Sequence, residues 1–180
     1  MRRSPRPLTG PWASRRATIH TGSRPTEYML DFPTDAWEHL RGIQPLSLCD
    51  WPGRPCAVLF LSGCNLRCPT CHNASLAWHA ETLPTLFKPD VLGFLRRRAA
   101  WLDGVVVSGG EPTAVPGLAA FLREVRDVGL PIKLDSNGMR PEVIEAVLHA
   151  GLVEEIFVDV KGPWALYPAL TGNGCTAAQA

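Results

Sequence analysis

The stretch CAVLFLSGCNLRCPTCHN (residues 56–73) joins a short apolar run to a loop with three cysteines. The run 56–63 has the length and composition of a buried β-strand. The cysteines that follow it, at the spacing C-x3-C-x2-C, are Cys64, Cys68 and Cys71. A structural zinc ion takes four ligands and a disulfide takes two thiols, so three cysteines indicate a metal centre with one coordination position left open.

Three more apolar runs downstream predict three further buried strands. They are GVVVSGG (104–110), PIKLDSNG (131–138) and EIFVDVKG (155–162). Between the runs, apolar residues recur at helical spacing, as at Leu118, Phe121, Leu122 and Val125. The last three runs begin about 25 residues apart, which is the rhythm of βαβ units. The sequence therefore predicts an α/β fold with a parallel sheet and helices packed outside it.

Each predicted strand is followed by a cluster of polar or cysteine residues. After the cysteine loop these are SGGEP (108–112), DSNG (135–138) and DVK (159–161). The carboxyl ends of parallel strands lie along one edge of a sheet, where function collects. We therefore expect the four clusters to form one site.

Composition limits the functional classes. The chain has 180 residues, 46% of them hydrophobic, and a net charge of +1, so it can build one core and has no global field that would attract nucleic acid. No apolar run approaches the roughly 20 residues that span a bilayer, and no secretory signal is evident. These features predict a cytoplasmic protein that binds neither nucleic acid nor membrane. In a reducing compartment, six cysteines favour metal ligation over disulfides.

Three segments are predicted from composition. Residues 1–41 are rich in arginine and proline without periodicity, which predicts a poorly ordered basic extension, and Met29 is an alternative natural start. Residues 42–172 form the domain. Residues 173–180 are small and polar and are predicted to be a disordered tail.

Taken together, the motifs resemble those of the radical S-adenosylmethionine (radical SAM) enzymes. LSLCDWPGRPCAVLFLSGCNLRCPTCHN with VVVSGGEPT, KLDSNG, DVKGP and YPALTG is most similar to the glycyl-radical-enzyme activating proteins, above all that of anaerobic ribonucleoside-triphosphate reductase. The resemblance covers roughly residues 43–172 and implies a partial parallel (β/α) barrel with about four βα units. Members of this class continue through two further strands, so the resemblance also implies that the chain is truncated at its C-terminus. Whether the truncated chain is active does not follow from the resemblance.

The resemblance implies a cofactor set and a role for each motif. Three thiolates would hold a 4Fe-4S cluster whose fourth iron binds S-adenosylmethionine, with no catalytic residue needed beyond the ligands. The residues implied for the methionine amino group are Gly109, Gly110 and Glu111. Those implied for the carboxylate and ribose are Asp159 and Lys161. A monovalent cation is implied at Asp135, Ser136 and Asp159.

The same resemblance implies an oxidoreductase that activates a large glycyl radical enzyme, anaerobic ribonucleotide reductase, and takes electrons from a flavodoxin or a ferredoxin-type donor. In many radical SAM loops an aromatic residue precedes the last cysteine, but Thr70 stands there in this chain. This departure weakens an expected adenine contact and leaves cluster ligation unaffected.

Several alternatives stay open on sequence alone. The cysteines could hold zinc, completed by His72, Cys56 or Cys49. SGGEP could be an ordinary βα turn, Asp135 a turn cap and Lys161 a solvated residue. At the level of function, the alternatives are another radical SAM enzyme such as a deazaguanine synthase, a non-catalytic iron-sulfur or zinc-binding module, and an inert fragment. The sequence CHN (71–73) favours an activating protein, because the synthases tend to carry an acidic residue after the last cysteine.

Overall fold

The computed structural model, which describes residues 35–172 and 174–176, contains a five-stranded sheet. The strands, in both chain and spatial order, are β1 (Leu40–Ser47), β2 (Cys56–Leu61), β3 (Gly104–Gly109), β4 (Ile132–Ser136) and β5 (Glu155–Val158). Strands β2 to β5 are parallel, and β1 pairs with β2 in the antiparallel sense. The four parallel strands confirm the predicted α/β fold and its four apolar runs.

Five α-helices and four short 3-10 helices connect and flank the strands in the described part of the chain. The α-helices are α1 (Ala74–Trp78), α2 (Lys88–Arg98), α3 (Leu118–Arg126), α4 (Pro141–His149) and α5 (Tyr167–Leu170). Helices α2, α3 and α4 lie between the parallel strands, where helical spacing was predicted, and their apolar residues form the main core with one face of the sheet. None of the described helices is both long and apolar enough to cross a membrane.

The domain begins earlier than the predicted boundary at residue 42. Trp37 and Leu40 are buried, and the Trp37 ring lies 4.5 Å from the ring of Phe121 in α3. The sequence signal for β1 is weak because Gly42 and Pro45 interrupt it, and both residue types are tolerated at an edge strand with an irregular register. The rest of the predicted extension, residues 1–34 with Met29, lies outside the described residues.

The structure describes part of the predicted tail, and one residue of that part is buried. Cys175 is buried and packs in a small cluster with Leu66, Cys68 and Tyr167. The turn before it lies against the cysteine loop, where the backbone N–H of Arg67 donates to the carbonyl of Thr171 at 3.1 Å. Residue 173 and residues 177–180 lie outside the described part of the chain.

The second face of the sheet changes character along the strands. Trp51, Val58 and Val106 form an apolar cluster on this face. On the same face, Ser108 follows Val106 towards the carboxyl end of β3, and β4 carries Lys133 beside Val106 and then Asp135; these three polar residues line a cleft. This face of the sheet therefore carries both an apolar cluster and the polar lining of the cleft at the edge where the four motifs meet.

Candidate functional site

A cleft of about 710 Å³ opens at the carboxyl ends of the four parallel strands. Its lining includes every site residue predicted from the sequence: Cys64, Cys68, Cys71, Gly109, Gly110, Glu111, Asp135, Ser136, Asp159 and Lys161. Parallel pairing produces this convergence, because each motif follows its strand at the same edge of the sheet. The structure thus brings the predicted residues together, while their individual roles stay predictions.

The cysteine loop is held to its neighbours on several sides. The indole N–H of Trp78 in α1 donates to the carbonyl of Leu66 at 2.9 Å. Asn137, after β4, donates from Nδ2 to Oδ1 of Asn65 at 2.8 Å, and Asn73 donates to the carbonyl of Gly109 at 3.3 Å. These contacts fix the loop relative to the ends of β3 and β4.

The three thiols differ in burial. Cys68 is buried, whereas Cys64 and Cys71 are half-buried and accessible from the cleft. Burial raises the pKa of the Cys64 thiol above its ordinary value, and the backbone N–H of Leu66, which donates to its Sγ at 3.4 Å, acts in the opposite direction. Burial also raises the pKa of Cys68, and the nearby Lys161 ammonium opposes that rise. Ligation by these thiols would therefore release protons.

The donor set fits an iron-sulfur cluster in its chemistry. All three thiols line the same cleft, and Cys64, Cys68 and Cys71 pack in one cluster of side chains. Within residues 35–172 and 174–176, no three His, Cys, Asp or Glu side chains converge closely enough to hold a single metal ion. Thiolates that each bind a different iron of a 4Fe-4S cluster need not converge on one point.

Gly109 and Gly110 allow close backbone packing against the strand and loop that carry the cysteines. A Cβ on Gly109, whose φ is 134°, would lie 2.0 Å from the carbonyl oxygen of Leu61. A Cβ on Gly110 would lie 2.1 Å from the carbonyl oxygen of Gly63. The backbone N–H groups of Gly110 and Glu111 donate to these same two carbonyls, each at 2.8 Å. The glycines are therefore required for the position of the cysteine loop itself.

Glu111 is fully buried and joins the ends of β3 and β4. Its Oε1 accepts hydrogen bonds from Thr113 N at 3.0 Å, from the Thr113 hydroxyl and from Ser136 Oγ at 2.8 Å. Its Oε2 accepts from the backbone N–H of Asn137 at 2.6 Å. Four donors match the roughly four lone-pair sites of a carboxylate. The geometry gives Glu111 a structural function, and its contact with a methionine amino group stays a prediction.

Two lysine–aspartate pairs line the side of the cleft formed by β4 and β5. Lys161 Nζ donates to Asp159 at 2.5 Å, and the Lys161 backbone N–H donates to the Tyr167 hydroxyl at 3.2 Å. Burial alone would lower the pKa of Lys161, but Asp159 and the cysteine thiols raise it above its ordinary value. On β4, Lys133 forms an ion pair with Asp135. Burial raises the pKa of Asp135, and hydrogen bonds from Lys133 and Ser108 oppose that rise.

Several residues of the site were missed by sequence reasoning. They are Asp50, Asn65, Asn73, Trp78, Lys133 and Asn137, and Cys49, which was considered only as an alternative zinc ligand, also lines the cleft. Cys49 and Asp50 belong to the loop between β1 and β2, and they reach the cleft only because β1 folds back beside β2. The asparagines could have been found from their positions in the sequence. Asn65 and Asn73 lie next to the cysteine motif, and Asn137 lies at the end of the third apolar run.

Comparison with known proteins identifies the family to which the chain belongs. The profile of the radical SAM superfamily matches residues 58–180. A protein of Methanocaldococcus jannaschii named as a glycyl-radical enzyme activating enzyme is 37% identical over 124 residues, which are 67% of this chain and 49% of that protein. The pyruvate formate-lyase-activating enzyme of Clostridium pasteurianum is 32% identical over 143 residues, which are 75% of this chain and 58% of that enzyme.

A relative with a different activity is similar over a slightly smaller share of the chain. The 7-carboxy-7-deazaguanine synthase of Hyperthermus butylicus is 31% identical over 124 residues, covering 63% of this chain and 52% of that enzyme. The chain thus spans about half the length of the curated relatives it matches.

Proposed function

The chain belongs to the radical SAM superfamily, and on that basis we propose that it activates a glycyl radical enzyme, with anaerobic ribonucleoside-triphosphate reductase as the partner. One observation carries the proposal. Two backbone hydrogen bonds join the SGGE turn to Leu61 and Gly63, which lead into the C-x3-C-x2-C loop, and both motifs line one cleft, so a cluster and the cofactor it binds would meet there. The relatives named as activating enzymes favour this function over other radical SAM chemistry.

The residues that would hold the cofactors line the cleft. Cys64, Cys68 and Cys71 would ligate three irons of a 4Fe-4S cluster and leave the fourth open to S-adenosylmethionine. When bound, the reduced cluster supplies the electron that cleaves the sulfonium to methionine and a 5′-deoxyadenosyl radical. Lys161 offers a cation to the methionine carboxylate, and Asp159 orients that lysine through their ion pair.

The cleft is open at the surface. Four of its lining residues are exposed, Thr70 and His72 of the cysteine loop and Asp159 and Val160 after β5. A loop of a large partner enzyme, carrying the glycine that loses a hydrogen atom, would enter past these residues. A flavodoxin or a ferredoxin-type protein would supply the electron.

The test is activation of the partner under anoxic conditions. The full chain, reconstituted with iron and sulfide, is mixed with reductant, S-adenosylmethionine and anaerobic ribonucleotide reductase from the same source. We expect the electron paramagnetic resonance (EPR) signal of a glycyl radical on the reductase, and no such signal with Cys68→Ala. Cofactor cleavage without a glycyl radical would contradict the activating function.

The deazaguanine synthase relatives supply the second candidate. The same reconstituted protein is therefore also assayed for formation of 7-carboxy-7-deazaguanine. Formation of that product in place of a glycyl radical would assign the cleft to the synthase reaction.

A further inference from the structure

Lys133 is the second residue of β4 and is almost fully buried, with 2% of its side chain exposed. Lysine is among the residues that are seldom buried unless they are paired. Its ammonium group pairs with the carboxylate of Asp135, two residues along the same strand, and lies 4.0 Å from the centre of the Phe157 ring. Phe157 is the register partner of Asp135 on β5, so the ammonium is held between a carboxylate and an aromatic face.

This arrangement bears on the monovalent cation implied at Asp135, Ser136 and Asp159. A carboxylate attracts such an ion by its negative charge, and that attraction is offset where another cation already pairs with the carboxylate. Asp135 is paired with Lys133, and Asp159 is paired with Lys161. The two carboxylates and the two ammonium groups sum to no net charge.

The hydroxyl of Ser136 is also engaged. Its Oγ donates to Glu111 at 2.8 Å and accepts from the backbone N–H of Gly138 at 3.1 Å. A cation entering at Asp135 or Asp159 would meet the lysine ammonium group that already pairs with that carboxylate, and like charges repel in a partly buried site. The residues present therefore do not fit a free monovalent cation.

We propose that the ammonium group of Lys133 takes, in this chain, the place of that monovalent cation, so that no free cation binds at Asp135. Lys133 is a positioning residue: it lines the cleft and holds the half-buried Asp135 carboxylate through their ion pair. This inference concerns charge balance in the folded protein and does not depend on which reaction the cleft performs.

The experiment measures thermal stability, because stability reports cation binding whether or not the protein is active. The Tm of the full chain is recorded in NaCl, KCl and choline chloride at equal ionic strength, and sodium binding is followed by ²³Na relaxation. For the parent protein we expect equal Tm values in the three salts and no saturable sodium binding. A saturable response of the parent protein to Na⁺ or K⁺ would overturn the proposal without any variant.

Removing the ammonium group should create a cation requirement. In Lys133→Met the Asp135 carboxylate loses its partner, so Na⁺ or K⁺ should raise the Tm by about 3–8 °C over choline, a shift typical of saturated binding by a small ion. Lys133→Gln is the second variant, since it keeps a polar group if the methionine variant folds poorly. The matched control is Lys88→Met. Lys88 in α2 is a half-exposed lysine that pairs with Glu124 in α3, and neither residue lines the cleft.

The variants test independently whether Lys133 takes the place of a cation. A cation response in Lys133→Met or Lys133→Gln that is absent from Lys88→Met supports the proposal. Its loss in the double variant Lys133→Met with Asp135→Asn would assign the created site to that carboxylate. Tm values of both Lys133 variants that are equal in all three salts would show that Lys133 does not stand in for a cation.

Discussion

The substitution Gly110→Ala tests whether the SGGE turn positions the cysteine loop. An added Cβ would lie 2.1 Å from the carbonyl oxygen of Gly63 and 3.3 Å from Cα of Ala77. The first distance is roughly 1.3 Å shorter than an ordinary contact of 3.4 Å, and both atoms concerned belong to backbone that cannot rotate away. The turn and the loop must therefore separate.

The expected cost follows from what the separation breaks. The hydrogen bonds from Gly110 N to Leu61 O and from Glu111 N to Gly63 O, each 2.8 Å long, connect the two segments. Each contributes about 1 kcal/mol net, and overpacking of a tight contact costs about 1–3 kcal/mol more. We therefore expect Gly110→Ala to lower the free energy of unfolding by about 3–5 kcal/mol.

The assay combines urea unfolding of the apoprotein with iron and sulfide analysis after anaerobic reconstitution. Gly110→Ala should lose both stability and cluster content. Gly93→Ala is the matched control: its Cβ meets only the end of the Arg97 side chain at 3.2 Å, and alanine favours a helix interior. If Gly110→Ala unfolds within about 0.5 kcal/mol of the parent and binds a full cluster, the turn serves only the cofactor and our reasoning is refuted.

Three further predictions concern the other motifs. Alanine at Cys64, Cys68 or Cys71 should abolish the 4Fe-4S absorbance, whereas Cys49→Ala should keep it; a full cluster in the Cys68 variant would remove that residue from the ligand set. Glu111→Gln should lower the free energy of unfolding in urea by about 2–3 kcal/mol, because its NH₂ group must face a buried donor; an unchanged midpoint would contradict this. Lys161→Ala should retain iron while S-adenosylmethionine affinity falls about tenfold in equilibrium binding, and parent-like affinity would exclude its contact with the carboxylate.

The sequence was sufficient for the parallel sheet because its signals are local. Each of the runs that became β2 to β5 is a short apolar segment bounded by glycine or by polar residues, and the rule for parallel strands then places the motifs at one edge. Strand β1 was missed because Gly42 and Pro45 give it no regular pattern, and its position depends on antiparallel pairing with β2.

The chemistry within the cleft was harder to predict because it depends on contacts distant in sequence. Lys133 is a single lysine in an apolar run, and its burial depends on Phe157 in the neighbouring strand. Glu111 was predicted to contact the cofactor, but Ser136 and Asn137, on another strand and its loop, engage its carboxylate. For Gly110 the sequence implied a contact with the methionine amino group, and it gave no sign that the closest atom to an added side chain would belong to Gly63.

The central claim is that the cysteine loop holds a cluster with one iron open to S-adenosylmethionine. EPR spectroscopy of the reduced, reconstituted full chain, with and without millimolar S-adenosylmethionine, tests it most directly. We predict a 4Fe-4S signal whose line shape changes when the cofactor is added, because the cofactor binds the iron that has no cysteine. A cluster signal that is identical with and without the cofactor would contradict the claim.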